Sequence, residues 1–318
     1  IDVFTMASGG NAIKFGELIT ARKYADTAGN TTRALAAGGE GPSANLNSIE
    51  FVTIATDGNG TDFNTLHSST SVGKSGSVSS ATRGIFAGFY PVSGGDKRMD
   101  FVSITSAGSA QDFGDLTSTR RTPIVISSRV LGHICGGYVT DYTANCDKVT
   151  FASTGNAVDF GDTTLAKLRY GTGIASPTRG IIMWGNNHPA NVNTMEFVTI
   201  ATTGNSVDFG DMSSNASTGA AGNATRGLVV TGSSPIELLQ MATLGNTIKF
   251  GDLSVSRGSS GGASSPTRVV FAGGVDYPAY YNIIDYVSIQ TDGNAVDFGD
   301  LTVNRHTDNS GSNAHGGL

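Results

Sequence analysis

The sequence predicts an all-β fold, a seven-bladed β-propeller of four-stranded blades, and three observations lead to this prediction. One segment, Ile284–Leu301 (IDYVSIQTDGNAVDFGDL), recurs along the chain at spacings of 41 to 50 residues. Every copy has a phenylalanine and, five positions before it, a glycine. The two ends of the chain complete each other's pattern. Self-similarity at such a period is typical of solenoids, propellers and repeat arrays.

The seven copies are anchored on Phe15, Phe63, Phe113, Phe160, Phe209, Phe250 and Phe298. The glycine five positions earlier is followed by asparagine in six copies and by Ser109 in the other. The repeats cover all 318 residues without a linker, which favours one domain over the two that this length would allow.

The last copy predicts four strands, which together form one blade. Gly261–Ser265 and Arg268–Gly274 are the first two, and the β-branched and aromatic residues of Ile284–Gln290 suit the third. The fourth is Ala295–Leu301, with Val296 and Phe298 expected on one side. Between the last two strands, glycine and asparagine supply turn chemistry.

The chain ends predict how the ring closes. Ile1–Gly16 aligns without a gap on Ile284–Gly299, and Ser312–Leu318 aligns on Ser265–Phe271. The two termini are therefore expected to share a composite blade, which leaves no free sheet edge at the closure. The predicted blades are the composite blade 1–21 with 306–318, then 22–70, 71–120, 121–167, 168–216, 217–257 and 258–305.

Composition excludes several partners and cofactors. Net charge is −6 and charged residues make up 14% of the chain, which argues against a basic nucleic-acid surface. No apolar run approaches the roughly 18 residues of a membrane span, so membrane insertion is not expected. Because the chain starts at Ile1, no signal peptide is visible, and an upstream part was removed or this is a domain of a longer protein. No metal or cofactor is expected, since His133 and His188 lack ligand spacing.

Two cysteines are too few for a disulfide-built fold. Cys135 and Cys146 fall on two arms of one predicted hairpin, so either a cross-strand bridge or two small buried apolar residues fits the pattern.

A carboxylate precedes each anchor phenylalanine by thirteen residues, and a base follows that acid by twenty residues in five copies. The acids are Asp2, Glu50, Asp100, Asp147, Glu196, Glu237 and Asp285. The bases are Arg22, Arg120, Lys167, Arg257 and Arg305, with Thr70 and Ala216 in the remaining slots. We expect each base to pair with the acid before it, partly solvated and contributing about 1 kcal/mol.

A second series of cations occupies the start of the second strand. Its members are Arg33, Arg83, Arg129, Arg179, Arg226 and Arg268, with His315 in the composite blade. They could line a central channel and attract an anion, or each could cap a hydrogen-bond network between blades. The recurring Asp-Phe-Gly-Asp string is not interpreted as a kinase-like metal motif, because Lys14 and Lys249 replace its first aspartate.

The last copy combines a glycine pair (Gly273-Gly274), an acid and an aromatic (Asp285-Tyr286), the fourth-strand Phe298 and Arg305 after it. This pattern resembles the kelch repeat over essentially the whole chain. Kelch repeats usually carry tryptophan where these copies carry phenylalanine, which indicates a divergent branch. The resemblance implies a propeller that serves as a binding platform.

The sequence of Val198–Asp211 (VTIATTGNSVDFGD) and the C-terminal sequence SNAHGGL also resemble repeats in tail and virion proteins of marine bacteriophages. That resemblance implies a location on the virion or outside the cell, beside other virion subunits.

Departures from the repeat point to function, and the connections between second and third strands vary most. The variable segments are Glu40–Asn45, Phe89–Arg98, Tyr138–Tyr142, Trp184–Pro189 and Val275–Tyr281, and the copy around Pro235 has nearly lost its loop. Topology places all of them on one face. Their aromatic residues suit recognition of sugars or protein surfaces, or else pack the loops against each other. The candidate ligand-binding residues are Tyr90, Tyr138, Tyr142, Trp184, His188, Tyr277, Tyr280 and Tyr281.

Three function classes compete. The first is a phage-appendage module that binds a host-surface glycan or protein, and the second is a structural virion or surface component. The third is a propeller glycosidase, which needs an acid pair at one cleft. The loop acids Glu40, Asp96, Asp141 and Asp276 belong to different blades, so we expect no enzymatic activity and assign no catalytic residue.

Overall fold

The computed structural model shows an all-β protein built mainly from four-stranded antiparallel sheets. It describes residues 1–67, 76–89, 96–138, 140–165, 171–187, 190–215, 217–258 and 260–306. These residues form six four-stranded sheets, a two-stranded sheet at the N terminus and a two-stranded hairpin within the last repeat. No helix among them has the length and hydropathy needed to cross a membrane.

The strands follow the repeat. The N-terminal sheet consists of β1 (Asp2–Val3) and β2 (Ile13–Lys14). The first blade consists of β3 (Asp26–Gly29), β4 (Arg33–Ala37), β5 (Ser48–Thr53) and β6 (Thr61–Thr65). The second blade consists of β7 (Gly76–Ser79), β8 (Arg83–Ala87), β9 (Asp96–Ser103) and β10 (Gln111–Arg120). The third blade consists of β11 (Ile124–Ser127), β12 (Leu131–Cys135), β13 (Asn145–Thr150) and β14 (Val158–Asp162).

The fourth blade consists of β15 (Thr172–Ala175), β16 (Arg179–Asn187), β17 (Ala190–Thr199) and β18 (Val207–Asp211). The fifth blade consists of β19 (Ser217–Gly222), β20 (Arg226–Thr231), β21 (Pro235–Gln240) and β22 (Ile248–Asp252). The sixth blade consists of β23 (Gly261–Ser264), β24 (Arg268–Ala272), β27 (Ile283–Ser288) and β28 (Val296–Asp300), and its loop forms the hairpin of β25 (Val275–Asp276) and β26 (Ala279–Tyr280).

Each blade is a meander in which sequence neighbours pair antiparallel. The first strands of consecutive blades, from β3 through β7, β11, β15 and β19 to β23, lie against one another. This is the arrangement of a β-propeller, so the predicted all-β propeller of four-stranded blades is confirmed, with six complete blades among the described residues. Small residues permit the close approach, because a Cβ atom on Gly262 would lie 2.7 Å from the carbonyl oxygen of Ala220 in the preceding blade.

The hydrophobic core lies between neighbouring blades. All seven anchor phenylalanines are buried. Phe63 of the first blade, for example, shares a cluster with Phe86 of the second. The same kind of cluster joins Phe298 of the sixth blade to Ala12 beside the N-terminal sheet. The burial that stabilises this fold is therefore between sheets, as expected when each repeat cannot bury its own face.

One expectation within the fourth strand is wrong. Val296 and Phe298 do not share an environment, because Val296 is 54% exposed and Phe298 is 4% exposed. The pairing of β27 with β28 shifts register between Ile284 and Asp285, which is a β-bulge at the anchor phenylalanine. An extra residue breaks the two-residue alternation of side chains, so simple strand periodicity fails there.

The glycine–asparagine turn connects blades as well as strands. In all seven copies the glycine N–H donates to the carbonyl of the preceding anchor phenylalanine, as Gly155 does to Phe113 at 2.7 Å. The asparagine side-chain oxygen accepts from a backbone N–H of the same preceding strand, as Asn156 does from Asp115 at 3.0 Å. Each turn therefore covers the outer edge of the blade before it, which protects that edge from pairing with another chain.

This junction also links the sixth blade to the N-terminal sheet. Gly10 donates to the carbonyl of Phe298 at 2.7 Å, and Asn11 accepts from the Asp300 N–H at 3.1 Å. The Arg268 guanidinium donates to the carbonyl of Met6 at 2.8 Å. Residues 1–14 thus lie beside the last blade although they begin the chain.

The predicted ion pairs form, but with different partners. Arg120 bonds to Asp147 at 3.1 Å and Arg257 to Asp285 at 2.9 Å, and all four side chains are fully buried. Each base therefore pairs with the acid that follows it, and not with the acid twenty residues before it. The reason is that the base lies on the connector entering a blade, directly under the ends of that blade's second and third strands.

Two more arginines of this series follow the same rule. Arg22 pairs with Glu50, and Arg305 pairs with Asp2 at 3.1 Å, which again joins the last blade to the N-terminal sheet. The expectation of partial solvation holds for Arg305 alone, since Arg22 and Glu50 are also buried. Lys167, Thr70 and Ala216 lie outside the described residues.

Every one of the seven acids accepts a backbone N–H from the residue four positions after the preceding anchor phenylalanine. The donors are Ile19, His67, Thr117, Thr164, Ser213, Ser254 and Thr302. Hydroxyl groups support Glu237 in place of an arginine. Burial raises the pKa of Glu237, but hydrogen bonds from Ser213, Thr247 and Thr231 outweigh it and the net shift is downward.

The second arginine series caps contacts between blades. Arg33, Arg83, Arg179, Arg226 and Arg268 each donate to a carbonyl of the next repeat. The network interpretation is confirmed for these five. Arg129 was assigned to the wrong position, because Leu131 begins β12 where the other blades have arginine. His315 lies outside the described part of the chain.

Cys135 and Cys146 face each other across β12 and β13 and form a disulfide. Of the two alternatives that the sequence left open, the bridge is the one in the structure.

Candidate functional site on the loop face

The propeller has two unlike faces. The glycine–asparagine turns form one, here called the turn face. The connections between second and third strands form the other, the loop face, together with the connectors that enter each blade. Isolated bridges join connector to loop from Lys23 to Glu40, from Arg121 to Tyr138 and from Gly258 to Val275. The loops of the first, third and sixth blades are thus fixed on the connectors beneath them.

The loops differ between blades. In the third blade Tyr138 bridges to Tyr142 across a short turn. In the fourth blade β16 and β17 extend past the others as a long hairpin ending at Asn187 and Ala190. The fifth blade has only a tight turn before Pro235. These differences are the expected place for a site, because a propeller framework repeats and its loops vary.

Tyr138 and Tyr142 form a pair on the third blade. Their ring centroids are 5.1 Å apart in an edge-to-face arrangement, and both side chains are half-buried. The guanidinium of Arg121 lies 4.8 Å from the centre of the Tyr138 ring. This part of the loop face therefore combines packing within the loop with partial exposure.

Tyr277 and Tyr280 form a second pair at the tip of the β25–β26 hairpin. Tyr277 is 79% exposed and Tyr280 is 45% exposed, and their ring centroids are 6.1 Å apart. A hydrogen bond with the Tyr277 side chain raises the pKa of Tyr280. The hairpin contains a cis peptide bond between Tyr277 and Pro278. Two neighbouring tyrosine side chains are thus presented to solvent.

The remaining predicted residues contribute less. Tyr281 is half-buried, and its backbone accepts from the Arg305 N–H at 3.0 Å, so it anchors the loop. Tyr90 and His188 lie outside the described residues, and so does the side chain of Trp184. The third-blade and sixth-blade pairs are separated by two whole blades. The described tyrosines therefore form two pairs on blades that are not adjacent.

Sequence reasoning missed the connector residues Lys23, Tyr24 and Arg121. Lys23 bonds to Glu40 at 2.9 Å and lies over the Tyr24 ring. Tyr24 has a φ of 55°, a left-handed conformation that costs a non-glycine residue about 1–3 kcal/mol. Lys23 and Arg121 directly follow the buried Arg22 and Arg120, and this doubled base was the signal in the sequence.

The four loop acids belong to four different blades. Glu40 bonds to Lys23, and Asp96 bonds to Arg98 at 3.1 Å. Asp141 and Asp276 are exposed and belong to blades that are not adjacent. Among the described residues, no group of three or more His, Cys, Asp or Glu side chains is arranged to hold a metal ion.

His133 is buried in the third blade, with its ring 4.6 Å from that of Phe160. Burial, followed by the charge of Lys148, lowers its pKa to about 4. The corresponding positions of the other blades carry aliphatic residues, such as Ile85 and Ile181. His133 is therefore a neutral core residue near pH 7 and belongs to the framework.

No protein-family model matches the chain, and no curated protein matches it. Function must accordingly be argued from the geometry of the two faces.

Proposed function

We propose that the protein is a non-enzymatic binding module of a phage tail or virion appendage. It recognises a host-surface glycan or protein through the aromatic residues of the loop face. The observation that carries the proposal is the contrast between the faces, since the loop face varies in length and exposes tyrosines where the turn face repeats. Tyrosine suits such a role because it offers an apolar ring and a polar tip.

The assignment to a phage appendage rests on the resemblance of Val198–Asp211 to phage tail and virion repeats. Low charge and abundant glycine are part of the same resemblance, since the chain has 44 glycines and 14% charged residues. The proposed location is the virion or the extracellular space, with other virion subunits as neighbours. The kelch-like character of the repeat is part of the same proposal.

The proposal includes a ring of seven blades, in which the N-terminal sheet is the outer half of a composite blade. Residues 306–318 supply its inner strands. Support comes from the hydrogen bonds of Phe298, Asp300 and Thr302 to residues 2–12, which repeat those between complete blades. In addition, β3 and β23 do not lie against each other as consecutive first strands do elsewhere.

Engineered cysteines test this closure. By the alignment, His315 corresponds to Arg268 and Thr5 to Ser288, and Arg268 is paired with Ser288 in the sixth blade. A His315→Cys/Thr5→Cys variant should form an intramolecular disulfide in high yield under mild oxidation. The control is His315→Cys with Thr53→Cys, the equivalent position of the first blade, which should not cross-link. Equal yields in both variants would argue against the composite blade.

A glycan array and binding to host cells test the recognition. Wild type should bind, and Trp184→Ala, Tyr142→Ala and Tyr277→Ala should each weaken binding at least about 5-fold if they contact the ligand. The matched control is Leu244→Ala, which removes an exposed apolar side chain from the turn face. Loss of binding in the control but not in the loop variants would reverse the assignment of the faces. Turnover measured on the bound glycans would show a glycosidase.

A structural role is the second candidate, and one observation favours it. Two positions before the anchor phenylalanine, the outer rim carries exposed aliphatic side chains in five consecutive repeats, from the third blade round to the N-terminal sheet. They are Val158, Val207, Ile248, Val296 and Ile13. Thr61 and Gln111 occupy the same position in the first two blades. A rim with an apolar arc suits packing against neighbouring subunits.

An experiment can distinguish the binding role from the structural role. Val158→Ser/Val207→Ser should leave glycan and cell binding unchanged and should abolish any self-association seen by light scattering. A protein that binds no glycan and no host cell, yet associates through this rim, would support the structural role.

A further inference from the structure

The junction between the third and fourth blades departs from the pattern of the others. In five blades an arginine at the start of the second strand donates to a carbonyl nine residues before the anchor phenylalanine of the next repeat. The pairs are Arg33–Ile104, Arg83–Phe151, Arg179–Met241, Arg226–Ile289 and Arg268–Met6. In the third blade Leu131 occupies the arginine position, and the corresponding carbonyl belongs to Ile200. That carbonyl therefore receives no arginine from the third blade.

The third blade carries its cation on the third strand instead. In four of the five arginine blades the guanidinium lies over an aromatic ring, as Arg83 lies 4.9 Å from the centre of the Phe101 ring. Lys148 occupies the position of that ring in the third blade. Its ammonium lies 5.7 Å from the centre of the Phe160 ring and donates to the Thr203 hydroxyl of the fourth blade at 3.3 Å. A lysine on β13 thus takes over the contact between these blades.

His133 lies directly opposite this lysine. The register of β12 and β13 pairs His133 with Lys148, whereas the equivalent pair in the second blade is Ile85 and Phe101. Cross-strand partners in an antiparallel pair lie on the same face of the sheet. An imidazole and an ammonium therefore stand side by side where an aliphatic and an aromatic side chain pack in the second blade.

The surroundings of His133 favour a neutral ring. The side chain is fully buried, and neither ring nitrogen makes a hydrogen bond of normal geometry. Burial and the charge of Lys148 lower its pKa, and the carbonyl of Ile200, which favours the protonated ring, does not offset them. A buried base without a counter-charge resists protonation for as long as it stays buried.

The strands around His133 do not supply that counter-charge. Asp147 of β13 is bonded to Arg120, and Asp159 of β14 accepts the N–H of Gly161 at 3.0 Å. The paired strand β11 contains no titratable side chain, and neither does the segment 199–204 of the fourth blade. Lys148 is thus the charged group that acts on the ring, and it opposes a second positive charge.

We propose that this junction is an acid-sensitive seam, at which protonation of His133 separates its ring from residues 200–206 while the other junctions stay closed. The proton is accepted when the seam opens, because the imidazolium then reaches water and moves away from Lys148. Opening is confined to the turn-face end. Nearer the loop face, the Cys135–Cys146 disulfide and the buried Asp147 pair hold β12 and β13 in place.

Hydrogen exchange of the full chain, followed by NMR, reports on the seam directly. The N–H groups of Gly204 and Ser206 donate across it, to the carbonyls of Phe160 at 2.8 Å and Asp162 at 2.9 Å. Protection of both amides, corrected for the intrinsic pH dependence of exchange, is compared at pH 7 and pH 5. It should fall by roughly 20-fold, because the open seam takes up a proton near pH 6.5 and the closed seam near pH 4.

The next junction provides matched amides in the same molecule. The N–H groups of Gly245 and Thr247 donate to the carbonyls of Phe209 and Asp211 in the same way, and they should keep their protection. At pH 5 the carboxylates of the chain are still ionised, so their titration does not enter the comparison.

Three variants assign the effect to the histidine. His133→Leu supplies an aliphatic residue like those of the other blades and should remove the pH dependence at Gly204 and Ser206. If it does not fold, Leu131→Arg/His133→Leu/Lys148→Phe builds the complete arginine junction and should give the same result. Lys148→Met keeps the histidine but removes the repulsion, so the fall in protection at pH 5 should become smaller.

Three outcomes would overturn the inference. The first is an equal fall in protection at all junctions, and the second is a fall that survives His133→Leu. The third is loss of protection at Thr143, whose N–H donates to the carbonyl of Gly137 at 3.1 Å on the loop face. In that case the whole hairpin opens and not the seam. These measurements use no ligand, so their failure leaves the proposed function untouched.

Discussion

The turn face and the loop face are made from the same repeats, but the turn face is nearly identical in every blade whereas the loop face differs between blades. On the turn face and at the connectors, all seven junctions use a glycine N–H and a carboxylate, and six of them add an asparagine oxygen. On the loop face, one blade has a tight turn, another a long hairpin and a third an exposed tyrosine pair.

The difference follows from what each region must satisfy. A junction between blades buries polar groups, and a buried polar group without a partner costs about 1–3 kcal/mol. The seven junctions satisfy their buried polar groups in nearly the same way, and substitutions there are therefore expected to destabilise the fold. A loop that ends in water has no such constraint, so its length and composition are free to serve recognition. The comparison predicts large stability effects at the junctions between blades and small ones in the variable loops.

The largest effect is expected at a buried connector arginine. Arg257→Ala leaves the carboxylate of Asp285 buried without its cation and removes hydrogen bonds to the carbonyls of Gly273 and Phe271. Loss of one partner of a buried ion pair costs about 3–5 kcal/mol. Urea denaturation should show this decrease in the free energy of unfolding.

The matched control is Arg305→Ala. It occupies the same position at a junction where the arginine is 33% exposed, so the expected cost is about 1 kcal/mol. Tyr277→Ala on the loop face should change stability by less than about 0.5 kcal/mol. Equal effects of all three substitutions would remove the distinction between the two regions.

An acid-dependent effect is expected at His133. Its pKa is lowered to about 4 in the fold, so the folded state favours the neutral ring. The unfolded chain takes up the proton near pH 6.5. The contribution of His133 is therefore complete above pH 6.5 and is lost as the pH falls toward 4, by about 3 kcal/mol in total.

Unfolding of wild type and His133→Leu is compared at pH 7 and at pH 4. The variant restores the aliphatic residue found in the other blades, and its stability should decline less between these two pH values. Carboxylates contribute equally to both proteins, so the difference isolates the histidine. Parallel pH profiles would show that His133 does not titrate as its burial requires.

The smallest expected change in stability is an increase, at Asn64. Asn64 stands where the other six copies carry glycine, and its φ of 122° lies outside the region that asparagine prefers. Asn64→Gly should therefore stabilise the protein by about 1 kcal/mol. Asn64→Ala keeps the unfavourable φ and should destabilise it. Melting temperatures that move in the same direction for both variants would contradict this account.

Much of the fold could be predicted from the sequence because its evidence is repeated. The anchor phenylalanines, the glycine–asparagine turns and the strand segments all recur, so the propeller and its four-stranded blades were predictable. The position of Val296 was not, since a bulge breaks the alternation on which strand predictions depend. Arg129 was misplaced because this blade has leucine where the arginine was expected.

Other errors concern distances between repeats, which a sequence does not contain. Arg120 is twenty residues from one acid and twenty-seven from the next, and only the path of the connector shows that Asp147 is the partner. In the same way the sequence places Tyr138 and Tyr277 on one face, but the structure shows two blades between them. Topology predicted the face, and the number of intervening blades came only from the structure.

Hydrogen exchange with and without bound ligand tests the central claim most directly, namely that recognition belongs to the variable loops of the loop face, whereas the turns of the turn face belong to the framework. Host cell-wall glycan bound to the full chain should protect backbone amides in segments 136–138, 140–144 and 274–282 and at connector residues 23–24. The turns around Gly58, Gly155 and Gly245 should exchange at unchanged rates. Protection confined to those turns, with no change in the loop segments, would contradict the account.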